Sequence, residues 1–276
     1  MTDTPFDFDA YARRIGFDGD GRATLDTLAR LVACHAHAIP FENIEVLAGR
    51  VPGLELDALQ HKLVRSARGG YCFEQNNLLL AALQALGYAA RRLEARVRAG
   101  VPADVTTGRT HMALCVTLDG VDWLADAGFG GLAPTAPLAL ANRADQPSPT
   151  GAYRFVDLDA DLLLQARTHE GWNDCYRIGP DRPQHIDHEI GNWFVATHPK
   201  SMLRQNLLVA RSTAGGRLRL FNHELELRAG DTDVPVKRTL ETRAEFADAL
   251  GDEFGLDIAG ADLDAVMAVL DAKRAA

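Results

Sequence analysis

The stretch Arg68-Gly-Gly-Tyr-Cys72-Phe-Glu-Gln-Asn76 decides how the chain reads. Two glycines stand directly before residues 71–86, whose apolar spacing is helical, and Gly87 follows as a C-terminal stop. Glycine adopts backbone angles that other residues resist, so Gly69-Gly70 lets the chain turn sharply into the helix. Cys72 then falls in the first turn, where unpaired N–H groups and the helix dipole favour negative charge. Such a setting favours a thiolate, and the same N–H groups can receive an oxyanion formed when sulfur attacks a carbonyl. The alternative is an inert free cysteine packed beneath a helix.

Around this stretch the first 87 residues read as helical, with stripes at 25–39, ended by Pro40, and at 56–67. From Tyr88 to about residue 228 the texture changes to short alternating runs at 92–98, 112–118, 121–125, 153–157, 162–166, 175–178, 207–211 and 218–221. Residues 133–149 carry four prolines and read as loop, and helical spacing returns after Leu240. Helices, then strands, then a smaller mixed region is the α+β pattern.

Composition narrows the function. The chain has 276 residues with 29 Lys and Arg against 38 Asp and Glu, a net charge of −9. A phosphate-backbone binder shows the opposite balance, so nucleic acid is not an expected partner. No apolar run approaches the ~20 residues that a bilayer span needs, so no membrane partner is expected either. The acidic start, Met1 to Asp9, lacks the basic and apolar regions of an export signal. The four cysteines, at 34, 72, 115 and 175, form no Cys-x-x-Cys pair, which argues against a thiolate zinc site. Free thiols in a reducing cytoplasm, and no metal, are the expectation.

A nucleophilic thiol needs a base and a group that orients it. Nine histidines compete. His35 and His37 cannot share a helix face. His185 and His188 lack a third ligand and read as part of a polar loop, and His61, His169, His198 and His223 are isolated. His111 differs because Thr110-His-Met-Ala-Leu-Cys-Val-Thr-Leu118 runs into Asp119-Gly120, a preferred two-residue hairpin turn, then Val121-Asp-Trp-Leu-Ala-Asp126. With Leu118 facing Val121, His111 and Asp126 become diagonal neighbours on one face, roughly 7–8 Å apart at the backbone. The other face collects Met112, Leu114, Val116, Leu118, Val121 and Trp123 as core. A bulge in the loop would reverse this parity. Gly128-Phe-Gly-Gly131 follows; it is not a dinucleotide fingerprint, yet it allows close approach to backbone N–H groups.

Assembled in this order, the sequence resembles the arylamine N-acetyltransferase family. The resemblance runs through Tyr11-Ala-Arg-Arg-Ile-Gly16, Ile39-Pro-Phe-Glu-Asn43, the Cys72 motif, Thr110-His111, Asp126-Ala-Gly-Phe-Gly-Gly131 and Asn192-Trp-Phe-Val-Ala-Thr-His-Pro199. Ala127 stands where valine is common in that family. The resemblance implies a helical bundle over 1–87, an antiparallel β-barrel over 88–190 and an α/β lid over 191–276, around a cysteine-protease-like core. It implies ping-pong transfer of an acetyl group from acetyl-CoA, as co-substrate, to an aromatic amine, hydrazine or N-hydroxyarylamine. Cys72 would be nucleophile, His111 base, Asp126 its support, and Gly128, Phe129, Gly130 and Gly131 would border the donor, with Phe41 beside them. Glu42 and Arg68 read as a structural pair; Trp193, Thr197 and His198 read as either coenzyme cleft or packing. A homo-oligomer is compatible with this reading. Sequence leaves open an amide synthase using the same triad, a thiol hydrolase or transglutaminase-like enzyme, and a non-catalytic binding module.

Overall fold

A computed structural model describes residues 5–213, 216–230 and 233–275; Met1 to Thr4, the beginning of the stretch in which no export signal is expected, lie outside them. Helices α1 (Phe8–Ile15), α2 (Leu25–Ala38), α3 (Ile44–Leu47), α4 (Leu56–Leu59) and α5 (Cys72–Ala85) form the first part, with a π-helical turn, Gln60–Arg65, extending α4. α5 is buried on almost every side, the mark of a central rather than a surface helix. Its leucines, Leu78, Leu79, Leu80 and Leu83, join Leu28, Leu31, Leu63 and Met112 in one core.

Eight strands follow: β2 (Ala89–Val97), β3 (Arg109–Leu118), β4 (Val121–Ala125), β5 (Leu138–Ala139), β6 (Gln146–Ser148), β7 (Gly151–Leu158), β8 (Asp161–Thr168) and β9 (Gly171–Ile178). They make one antiparallel sheet in the order β5-β4-β3-β2-β9-β8-β7-β6. The sheet curls around Leu93, Cys115, Leu124, Tyr153, Phe155 and Leu164, and its two edges nearly meet. Gln146 of β6 bridges them, accepting from the Ala139 N–H at 2.7 Å and donating to the Ala139 carbonyl at 3.1 Å. The proline-rich segment thus contributes two short strands that close a barrel, where sequence alone suggested loop.

A second antiparallel sheet joins β1 (Phe41–Glu42) to β10 (Leu208–Thr213), β11 (Gly216–Phe221), β12 (Glu224–Arg228) and β13 (Val236–Thr239). Its inner face packs on α8 (Arg243–Asp248) and α9 (Gly260–Ala275) through Leu218, Leu220, Leu225, Phe246 and Leu263. Between the sheets run α6 (His185–Thr197) and the short α7 (Met202–Gln205). His185 and His188 therefore begin a helix, not a polar loop. Its apolar stripe of Ile186, Ile190 and Trp193 is exposed, while His188 turns inward against Phe73. No described helix is long and apolar enough to cross a membrane.

Candidate active site

Cys72 is the first residue of α5 and is buried. The two glycines before it are needed for space. A Cβ on Gly69 would lie 2.2 Å from the Pro40 carbonyl oxygen, and one on Gly70 would press on the Glu74 carboxylate at 2.8 Å. Neither has a positive φ, so close approach, not unusual backbone angles, is the reason for glycine. Four polar residues then follow within an otherwise apolar helix, and all are buried. Unpaired, each would cost about 1–3 kcal/mol. Each is instead bonded to a neighbouring element. Glu74 caps the helix by accepting from the Tyr71 N–H at 3.1 Å. Gln75 donates to the carbonyls of Ile39, Pro40 and Gly70, and its oxygen sits 2.6 Å from His35 Nε2. Asn76 donates to the Met112 carbonyl at 2.6 Å and to Asp126 at 2.9 Å. Asn77 donates to the Phe73 carbonyl and accepts from Arg92.

The β3–β4 hairpin supplies the partners. Asp119 and Gly120 both hold positive φ, and Leu118 pairs with Val121 in a register that continues to Leu114 and Ala125. The predicted parity holds. Met112, Leu114 and Val116 face the helical core; Ala113, Cys115 and Leu124 face the barrel interior. The His111 side is thus a second core and not an open polar face.

Asp126, just past β4, is fully buried and accepts four hydrogen bonds. One oxygen takes Asn76 and the Gly128 N–H, at 2.9 and 2.8 Å. The other takes the Tyr176 hydroxyl at 2.8 Å and lies 2.8 Å from His111 Nε2. Cys72 lines the same cleft as His111, and its thiol donates to the carbonyl oxygen of Thr110, the residue just before His111, at 3.7 Å. Burial works against the imidazolium, but the Asp126 charge and hydrogen bond, with help from Cys72, override it and raise the His111 pKa to about 10. Burial also opposes the Asp126 carboxylate, yet His111, Asn76 and the Gly128 N–H hold its pKa below the usual value. The other thiols lack such a partner: burial pushes Cys34 up, Cys115 to about 11 and Cys175 to about 12.

The glycine loop packs against Cys72 at the head of α5. A Cβ on Gly128 would sit 2.7 Å from Cys72 Cα, so only glycine fits. The N–H groups of Ala127 and Gly128 are spent on Asn76 and Asp126. Phe129, His111 and Tyr176 form an aromatic trio with centroids 4.6–4.9 Å apart. Cys72, His111, Gly128, Phe129 and Gly131 open onto a cleft of about 970 Å³. Its walls come from residues 97–102, the β8–β9 hairpin, Phe41 and the second sheet, while Gly130 packs over the Phe41 ring. Trp193, Thr197 and His198 are not among the lining residues; Trp193 is exposed on α6, and His198 stacks on Phe194. Glu42 and Arg68 are indeed bonded, at 2.7 Å. Among the described residues no group of three or more His, Cys, Asp or Glu is placed to hold a metal. Sequence reasoning had given no role to Asn76 and had missed Tyr176. The first carried a signal, a polar run at the head of an apolar helix; the second carried none, because its position depends on distant strand pairing.

A family model described as N-acetyltransferase matches residues 24–263. The arylamine N-acetyltransferase of Mycobacterium tuberculosis is 38% identical over 92% of this chain and 90% of its own length. The arylamine N-acetyltransferase / N-hydroxyarylamine O-acetyltransferase of Salmonella typhimurium is 37% identical over 95% of each. Among solved structures, the Mycobacterium marinum arylamine N-acetyltransferase in complex with CoA superposes with a TM-score of 0.90 at 38% identity, covering 96% of this chain and 99% of that one. With likeness running through the Cys72 helix, the barrel and the second sheet alike, the chain belongs to the arylamine N-acetyltransferase family.

Proposed function

We propose that this chain transfers an acetyl group from acetyl-CoA to a small aromatic amine, hydrazine or N-hydroxyarylamine through a thioester on Cys72. The observation that carries this reading is the 2.8 Å His111–Asp126 hydrogen bond, with His111 and Cys72 opening together on one cleft. His111 carries the thiol proton as an imidazolium, and Asp126 stabilises that charged form and fixes the ring. The Cys72 thiolate attacks the thioester carbon, and the first-turn N–H groups of α5 receive the oxyanion. As the coenzyme leaves, its sulfur takes the proton from His111, giving acetyl-Cys72, free CoA and neutral imidazole. The amine then attacks the acetyl carbon, His111 accepts its proton, and the Cys72 thiolate is expelled with the amide released. Arylamines are weakly basic, so they arrive neutral and nucleophilic where alkyl amines are charged. We assign Gly128, Phe129, Gly130 and Gly131 to the border of the acyl donor. We read the helices over 1–87, the barrel over 88–190 and the lid over 191–276 as the working units, acting in the cytoplasm.

The test is acetyl-CoA alone, without amine. Wild-type protein should gain one acetyl group by mass spectrometry and lose it when an aniline or a hydrazide is added, whereas Cys72→Ala should gain none. Ammonia release from glutamine without acetyl uptake would favour a thiol amidase instead.

A further inference from the structure

Strands β11 and β12 alternate between two environments. Leu218, Leu220 and Leu225 face the core over α8 and α9, whereas Arg217, Arg219, Phe221, Glu226 and Arg228 line the cleft. Arg217 and Arg228 are direct cross-strand partners, and like charges placed so destabilise a sheet. In a chain with a net charge of −9, one cleft wall thus gathers three guanidinium groups around a single carboxylate, Glu226. Folding does not ask for that imbalance, and departures from local rules of this kind concentrate where a ligand binds.

The three arginines are not equivalent. Arg217 is buried and fully engaged, donating to the Gly131 carbonyl at 2.5 Å, to the Thr150 carbonyl at 3.1 Å and hydroxyl at 2.9 Å, and to the Tyr153 hydroxyl. It pins the glycine loop to the sheet. Arg228 donates to one oxygen of Glu226 at 2.9 Å and Arg219 to the other at 3.4 Å. A guanidinium has five N–H donors, so one shared carboxylate orients both groups without neutralising or saturating them. Their place relative to the sulfur follows from the glycine loop. Gly128 rests on Cys72, and a Cβ on Gly131 would meet Arg219 Cδ at 3.3 Å. Three residues of chain span at most about 10 Å.

We propose that Arg219 and Arg228 bind the diphosphate of the acyl donor, with Glu226 holding their forks toward the cleft. The proposal rests on acetyl-CoA being the donor. It makes the cleft a ruler, with the acyl carbon at Cys72 and the anionic end on the second sheet. Guanidinium groups suit this task because their paired N–H donors match phosphate oxygens two at a time. Gly131 belongs to the same design, since a side chain there would push Arg219 away.

Calorimetric titration of coenzyme A and of pantetheine, its phosphate-free half, tests this. In wild-type protein, raising the salt should weaken coenzyme A binding and leave pantetheine unaffected, and inorganic pyrophosphate should compete with coenzyme A only. In Arg219→Gln/Arg228→Gln the Kd of coenzyme A should rise about tenfold or more relative to that of pantetheine. Arg219→Lys/Arg228→Lys, which keeps both charges, should recover part of that loss. Salt-insensitive coenzyme A binding in the wild type, or an unchanged ratio of the two constants in the glutamine variant, overturns the proposal. Wild-type protein that binds no coenzyme A and forms no acetyl-Cys72 instead overturns the underlying reading of the donor.

Discussion

Two buried ionic arrangements meet at the head of α5, and they use different cations. On the barrel side Asp126 faces His111, a group that can take up a proton and pass it on. On the opposite side Lys62 bonds Glu45 and Glu74 at 2.6 Å each, Arg68 bonds Glu42 at 2.7 Å and Asp262 at 3.3 Å, and Arg50 bonds Asp262 at 2.9 Å. That second network ties α3, the π-helical turn, the glycine pair and α9 to the turn that presents Cys72. Its cations stay charged at any working pH, and it positions the backbone. The same helix end is therefore anchored through lysine and arginine and worked through a histidine.

The largest effect should come from breaking the histidine side. Asp126→Asn leaves an amide that cannot stabilise an imidazolium and that offers donors where His111 and Tyr176 both need an acceptor. We expect kcat/KM to fall by about 10³–10⁴, while circular dichroism still shows a folded protein. A loss of less than tenfold would remove Asp126 from the proton path.

Breaking the lysine and arginine side should instead appear in stability. Lys62 is held among three carboxylates; burial disfavours its charge, but Glu74, Glu42 and Glu45 raise its pKa. Glu74 has only that one cation, and burial pushes it up to about 7 despite the attraction. Lys62→Met would strand these carboxylates and should cost about 3–5 kcal/mol, read as a lower urea midpoint, while kcat of the folded protein changes far less than in Asp126→Asn. The two sides should also separate by pH. Glu74 is raised from an ordinary 4.5, so its stabilisation is complete below about pH 4.5 and is lost as pH rises through 7. His111 is raised from 6.5 to about 10, so its share is complete below 6.5 and lost as pH rises through 10. Glu74→Gln should flatten the first window and His111→Gln the second; flattening of both by either change would show one coupled network.

What was legible in the sequence was local. The Asp119-Gly120 turn fixed the β3–β4 register because a two-residue loop leaves no slack, and that register brought His111 beside Asp126. The helix start at Cys72 was legible for the same reason. The glycine pair was read correctly as a helix approach but for the wrong cause, since its space is taken by Pro40 and Glu74. Less legible were elements too short for a pattern, such as β1, with two residues, and β5 and β6. α6 was not legible although Ile186, Ile190 and Trp193 have helical spacing; that stripe is exposed. Contacts set by distant strands, including Tyr176 and the arginine wall of β11 and β12, leave no trace in local sequence at all.

Tyr176 offers the finest test of the contrast between the two sides. It reaches Asp126 because β9 pairs with β2, Val97 opposite Tyr176, which turns the ring inward toward His111 and Phe129. Its hydroxyl supplies one of four hydrogen bonds to the carboxylate, and burial with the Asp126 charge keeps it protonated. Tyr176→Phe keeps the ring packing and removes that single donor. A hydrogen bond to a charged group is worth about 1.5–3 kcal/mol, but three others remain, so we expect kcat/KM to fall by about tenfold. The direction in pH is the sharper readout. With one donor fewer, Asp126 becomes a stronger base toward His111, so the alkaline limb of the activity profile should move upward. A downward move, or none, would mean that Tyr176 only fills space and that the His111–Asp126 pair is tuned by Asn76 and Gly128 alone.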